Sequence, residues 1–303
     1  MKRILLVLVV LALAAGAVVW ILTAPKPLAA AALPAHKADP ANGERVFWTG
    51  GCASCHAAKG AKDADRLKLG GGQAFATPFG TFYAPNISPD PVAGIGRWSE
   101  LDLVNAMQRG VSPEGRHYYP AFPYGSYVRM KTEDVVDLAA FLKSLPAVSE
   151  PSKPHDLPFP FNIRRGLGLW KLLYLDPAPV TALAPDAPAE IQRGRHIVEG
   201  AGHCGECHTP RNAIGGPDRS RWLAGAKALE GDGKIPNITP DTSALGGWSA
   251  KDIAYYLESG LTPDGDSVGG PMATVVDNMA KLPAEDRNAI AAYLKAVPPR
   301  PKQ

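Results

Sequence analysis

The chain has 303 residues, enough for two domains of ordinary size. Of its formal charge of +3, Lys2 and Arg3 carry two, and the near-neutral +1 that remains gives no electrostatic ground for nucleic acid as a partner. Thirty-one glycines and thirty prolines, spread without a period, exceed the usual combined share of roughly 12% and point to long wrapping loops.

Residues Ile4 to Thr23 form an uncharged, almost wholly apolar stretch of 20 residues behind Lys2 and Arg3. As a helix it spans about 30 Å, the thickness of a bilayer's hydrocarbon core. Residues 1–24 therefore read as a membrane anchor, with the basic residues holding the start in the cytoplasm and the rest sent across. The alternative is a signal segment, for which Ala29 to Ala32 offer a cleavage site. Either way the main body faces the periplasm or an equivalent outer space. In a bacterium this is the outer side of the inner membrane if the anchor is retained, or the periplasm itself if it is cleaved.

A helix from Asn42 to Gly50 leads into Cys52-Ala53-Ser54-Cys55-His56. This Cys-x-x-Cys-His spacing is the attachment site of c-type haem, in which two thiols add to one porphyrin and the His ligates iron. It recurs as Cys204-Gly205-Glu206-Cys207-His208, after a helix from Ile191 to Gly200, and the two motifs use all four cysteines. A doubled Cys pair can also bind zinc. The His in both copies, and their similar surroundings, favour two covalently attached haem c groups, with His56 and His208 as iron ligands.

The flanking sequence repeats as well. Pro85-Asn86-Ile87-Ser88-Pro89-Asp90 matches Pro236-Asn237-Ile238-Thr239-Pro240-Asp241, and Gly96-Arg97-Trp98-Ser99 answers Gly247-Trp248-Ser249. Arg109-Gly110-Val111-Ser112-Pro113-Glu114-Gly115 answers Ser259-Gly260-Leu261-Thr262-Pro263-Asp264-Gly265, at an offset of 150 to 152 throughout. Two domains of one design follow, over residues 38–147 and 190–297. In each, Ser99 or Ser249 is expected to cap a helix that ends at Gly110 or Gly260. A last helix opens at Thr132 or Pro283 and closes before Pro146 or Pro298. Val135, Leu138, Phe141 and Leu142 share one face of it, as do Ile290, Tyr293 and Leu294 in the second copy. Trp98 and Trp248 recur at matching positions and read as common structural residues.

Residues 148–189 are a proline-rich linker with an aromatic cluster, Phe159, Phe161, Trp170 and Tyr174. It reads as a clasp that folds on the domains, with a docking surface for a partner subunit as the alternative.

Electron-transfer cytochromes place a methionine in the loop before the last helix as sixth iron ligand, which raises the potential. In the second domain Met272 fits, with Met279 as competitor. In the first, Phe122 occupies the matching place, and Met130, His117 or an open site remain. Met130 is preferred, and Met107 reads as packing. Arg116 and Arg211 are either propionate partners or exposed charges. His36, His155 and His196 have no partner at metal-ligand spacing, and His203, directly before Cys204, reads as a surface or supporting group rather than a ligand.

The motifs resemble those of bacterial membrane-associated dihaem cytochromes c, including the cytochrome subunits of periplasmic alcohol and aldehyde dehydrogenases. The resemblance rests on residues 42–44 and 50–56, on His117 to Tyr124, on Leu157 to Asn162 and on Gly202 to Asn212. It implies a mostly α chain of two tandem class I cytochrome c-like domains. It also implies electron transfer from a periplasmic dehydrogenase subunit to a downstream cytochrome, oxidase or quinone-linked acceptor of the respiratory chain. The competing reading is a dihaem enzyme, a peroxidase or a thiosulfate-oxidising cytochrome, with the first haem as reaction centre, motivated by Phe122. No constellation for acid–base or nucleophilic catalysis of recognisable spacing is present.

Overall fold

A computed structural model describes residues 1–228 and 233–301. Helix α1 (Lys2–Leu22) carries no buried residue and is the one helix among the described residues long and apolar enough to cross a membrane. Beyond it the chain forms two helical repeats joined by a folded linker.

In the first repeat, α2 (Pro40–Thr49) starts at Asp39, whose carboxylate accepts from the backbone N–H groups of Ala41 and Asn42, with Pro40 at the first helical position. The short α3 (Cys52–His56) carries the first motif. A hairpin of β1 (Ala74–Thr77) and β2 (Gly80–Tyr83) follows, then α4 (Glu100–Val104), α5 (Tyr124–Tyr127) and α6 (Thr132–Lys143). Linker helix α7 (Leu167–Tyr174) leads to the second repeat: α8 (Ala189–His196), α9 (Gly205–His208), the short pair β3 (Ala226–Lys227) and β4 (Lys234–Ile235), α10 (Ala250–Ser259), α11 (Pro271–Met279) and α12 (Ala284–Ala296).

Each repeat is organised by a crossing of its first and last helices. The backbones come so close that a Cβ on Gly43 would lie 2.1 Å from the Asp137 carbonyl oxygen, and one on Gly194 would lie 1.9 Å from that of Ala289. Only glycine fits at either crossing. Phe47, Val135, Leu138 and Leu142 close the first core, and Ile290, Tyr293 and Leu294 the second. Ser99 and Ser249 both make capping boxes, with Asp102 and Asp252 returning the bond, and the helices end on left-handed Gly110 and Gly260.

The structure departs from the sequence reading in four places. The helix leading to the second motif is not regular to Gly200: after α8 it winds as a π-turn over Ile197–Ala201, with Gly200 at φ −103°, ψ −109°. The first repeat's capped helix likewise becomes π-wound over Asn105–Arg109. The segment holding Met272 is helical rather than a loop, because Pro271 at the first position of α11 starts a helix. The linker clasp uses Trp170, 9% exposed, whereas Phe159 is 78% exposed and takes no part in it.

The linker is held at both ends. Asp156 bridges Thr81 of β2 by paired backbone hydrogen bonds of 2.8 and 2.9 Å. Buried Glu199 accepts from the backbone N–H of Val180 and Thr181 and from the Tyr293 hydroxyl.

Candidate haem sites

The two motifs are built alike. In each, both cysteines and the histidine occupy about one helical turn, so two thiols and an imidazole project from one short segment. All four thiols are free, Cys52 and Cys204 half-buried, Cys55 and Cys207 exposed. Burial pushes the Cys52 and Cys204 thiols up to about 12. Among the described residues no three His, Cys, Asp or Glu side chains gather as a metal cage.

His56 Nδ1 lies 2.8 Å from the Pro85 carbonyl oxygen, and His208 Nδ1 lies 2.8 Å from that of Pro236. A carbonyl only accepts, so the proton is on Nδ1 and Nε2 keeps its lone pair, the form an axial ligand needs. Burial pushes both imidazoles below the usual histidine range, against the pull of the carbonyl.

The repeated Pro-Asn-Ile-Ser/Thr segment supplies this bond. Its Asn side chain accepts from the backbone two residues on and donates to the chain leaving each repeat: Asn86 to the Val148 and Glu150 carbonyls, Asn237 to that of Arg300. The isoleucine N–H bonds Leu69 or Leu223. Gly71 and Gly225 in turn donate to the His56 and His208 carbonyls at φ +73° and +86°, where a Cβ would meet backbone atoms at 2.5 and 2.8 Å. The sequence shows this segment as a repeat without a role; its recurrence is the signal that could have assigned one.

Two free thiols and an imidazole bonded through Nδ1 make the donor set of each repeat fit a covalently attached haem. Trp222 stacks on Gly205 inside the second motif, so closely that a Cβ there would lie 2.0 Å from the indole. Its buried Nε1 lies within reach of the Tyr293 hydroxyl. Arg211 is not free to bind a propionate, because its guanidinium is committed to Glu206 and to the Gly215 carbonyl. Arg116 is exposed beside Glu114.

The methionines differ. Met272 is half-buried on the first turn of α11, and Met279 is buried at its end. Met130 is buried just before α6, with Gln108 donating to its carbonyl, and its Cγ lies 3.4 Å from where a Cβ on Gly200 would sit. Met107 is core. His117 bonds the Thr23 carbonyl at the end of α1 through Nε2, at 2.8 Å. His36 and His196 bond Asp137 and Asp134, and His155 accepts from the Tyr83 N–H.

The motifs also meet across the repeats. His203 bonds the Gly50 carbonyl at 3.2 Å. Asn278 of α11 donates to Ser54 Oγ within the first motif at 2.7 Å and accepts from Arg66. Edge-on rings of Phe122, Tyr127 and His203 run from one repeat to the other.

Two helical repeats, each crossing its first and last helices over a Cys-x-x-Cys-His turn whose histidine is held by a proline carbonyl, define a haem c-binding electron-transfer protein. The chain belongs to the cytochrome c family, whose model matches residues 40–146 and 191–298. It is 54% identical over 298 residues to a diheme cytochrome c-type protein of Cereibacter sphaeroides, covering 98% of this chain and 99% of that one. It is 36% identical to the fructose dehydrogenase cytochrome subunit of Gluconobacter japonicus, over 87% of this chain and 54% of that subunit. It is 35% identical to the cytochrome c subunit of the quinone alcohol dehydrogenase of Komagataeibacter europaeus, over 86% and 56%. The chain thus spans about half the length of these dehydrogenase subunits.

Proposed function

We propose that the chain carries two covalently attached haem c groups, at Cys52/Cys55 and Cys204/Cys207, and conducts electrons from a periplasmic dehydrogenase subunit towards the respiratory chain. His56 and His208 are the proximal ligands in this reading, and Met130 and Met272 the distal ones. The observation that carries it is the twice-repeated imidazole–carbonyl bond, which presents Nε2 beside two free thiols in both repeats. When bound, haem c supplies a one-electron iron couple. The carbonyls of Pro85 and Pro236 orient the imidazoles and would raise their donor strength toward iron, and the thioethers of Met130 and Met272 would favour the ferrous state. His203 and Asn278 fix one motif against the other, so charge entering one repeat has a short path to the second.

Retention of α1 as an anchor belongs to the same proposal. Thr23 is buried, its carbonyl accepts from His117, and Leu28 exchanges hydrogen bonds with Asn105 at 2.6 and 3.4 Å. Cleavage near Ala29–Ala32 would strip these partners from two buried polar side chains, each loss costing about 1–3 kcal/mol.

Mass spectrometry of membrane-purified protein tests the reading: the full chain plus two haem masses is expected. Redox titration should then show two low-spin haems that a dehydrogenase with its substrate reduces. Bare thiols would end the proposal, and turnover of peroxide or thiosulfate by the protein alone would replace conduction by catalysis.

A further inference from the structure

Outside residues 1–22, ten large apolar side chains are exposed among the described residues, and six of them fall in one short stretch: Phe159, Phe161, Ile163, Leu169, Leu172 and Leu173. In α7 the three leucines sit at i, i+3 and i+4 and form one stripe. Trp170 and Tyr174, also four apart, form another face, tilted against each other and holding the second repeat through Ile214 and Asn212. So α7 is apolar on two sides, and only one is used by the protein.

The start of α7 is locked to the outer end of α1. A Cβ on Gly168 would lie 2.3 Å from the Thr23 carbonyl oxygen. Arg165 lies 4.0 Å over the Trp20 ring, donates to Thr23 Oγ1 at 3.1 Å and also bonds the Trp20 carbonyl. Trp20 is the kind of residue that marks a membrane–water boundary, and a guanidinium stacked on it stands at headgroup level. Leu173 is only five residues past Gly168, about 7.5 Å along a helix axis. The leucine stripe therefore cannot leave the neighbourhood of the bilayer surface while α1 spans it.

We propose that residues 159–173 form a second, monotopic membrane contact, with the leucine stripe of α7 lying in the outer interface of the bilayer beside the exit of α1. The occupant of this face is lipid rather than a soluble protein, because its place is fixed by the spanning helix before any partner arrives. An apolar stripe at that level gains by entering the headgroup–acyl boundary. A single spanning helix leaves the body free to rotate about it; two contacts fix which face of the haem repeats points away from the membrane.

The inference rests on the anchored reading, and one experiment separates the two. The full haem-loaded chain is placed in phosphatidylcholine vesicles containing a phosphatidylcholine with a diazirine in its acyl chain, irradiated, digested and mapped by mass spectrometry. Adducts are expected in α1 and in residues 159–173, with none around Val92, an equally apolar side chain 84% exposed in the first repeat. The L169S/L172S/L173S variant should lose at least fivefold of the linker adducts with α1 labelling and haem content unchanged. Adducts confined to α1 would overturn the membrane contact and show that water, a partner or a second copy covers the stripe. Absence of adducts from α1 as well would overturn the anchor itself.

Discussion

Met130 stands where two demands meet. Before the last helix of the first repeat it is the methionine proposed to ligate iron, yet its side chain also packs beside Gly200 of the second repeat. Met130→Ala separates them: the proposed ligation predicts loss of the His/Met absorption band from one haem. An unchanged spectrum with stability lowered by about 2–5 kcal/mol would make it a packing residue only. His36 carries a second prediction. Its bond to buried Asp137, with Glu133 and Asp134 facing it, raises its pKa above the ordinary 6.5. A folded-state pKa above the unfolded one means the stabilisation is full below pH 6.5 and is lost as pH rises through the raised value. Urea midpoints should therefore fall over that window, and His36→Gln should flatten the slope. At this scale, legibility divides by chemistry. The motif residues and the caps Ser99 and Ser249 were readable because their partners lie within three or four positions. His117 was not, because its partner is Thr23, 94 residues away, and neither residue type announces the other. Gly71 and Gly225 were invisible for a different reason: what matters there is a backbone approach, which a glycine in a glycine-rich chain does not advertise.

Between elements, the helix crossing decides the fold of each repeat. Since Gly43 faces the Asp137 backbone rather than a flexible side chain, an added methyl cannot be absorbed by a rotamer change. Gly43→Ala should cost at least about 3 kcal/mol, at the upper end of overpacking penalties, measured by chemical denaturation. Gly166→Ala is the matched control, since nothing lies within 4 Å of a Cβ there, and should change stability by under about 0.5 kcal/mol. Comparable losses in both would mean the crossing is looser than its geometry. The apolar stripes of α6 and α12 were legible because a 3.6-residue period is a local signal. The two β pairs were not, being two to four residues long with glycine-broken sequence around them. The π-turns before Gly110 and the second motif were likewise unreadable, because no residue type specifies one extra residue in a turn.

Across the whole molecule, the repeats clasp each other reciprocally. Arg45 on α2 of the first reaches Glu285 and Asp286 at the start of α12, and His196 on α8 of the second reaches Asp134 at the start of α6. By the repeat offset Arg45 and His196 are equivalent positions, as are Asp134 and Asp286, so one contact is made twice around an approximate two-fold relation. Duplication thus explains the interface as well as the domains: a surface that pairs with its own copy survives as two symmetric bridges, one through a guanidinium and one through an imidazole. Both motif segments touch the opposite repeat, so under the proposed function the bridges would help to fix the separation of the two haems. The double variant Arg45→Met/His196→Met tests this while leaving buried Asp286 its ion pair with Arg193 and Asp134 its hydrogen bond from Asn42. Partly exposed pairs whose carboxylates keep other partners contribute about 1 kcal/mol or less each, so their joint loss is read as a weaker coupling between the tethered domains. Calorimetry should resolve two unfolding transitions where the native chain gives one, and electron equilibration between the haems after rapid partial reduction should slow while each haem's spectrum stays the same. A single transition with an unaltered equilibration rate would mean that Asn278, His203 and the folded linker hold the repeats together without the ion pairs.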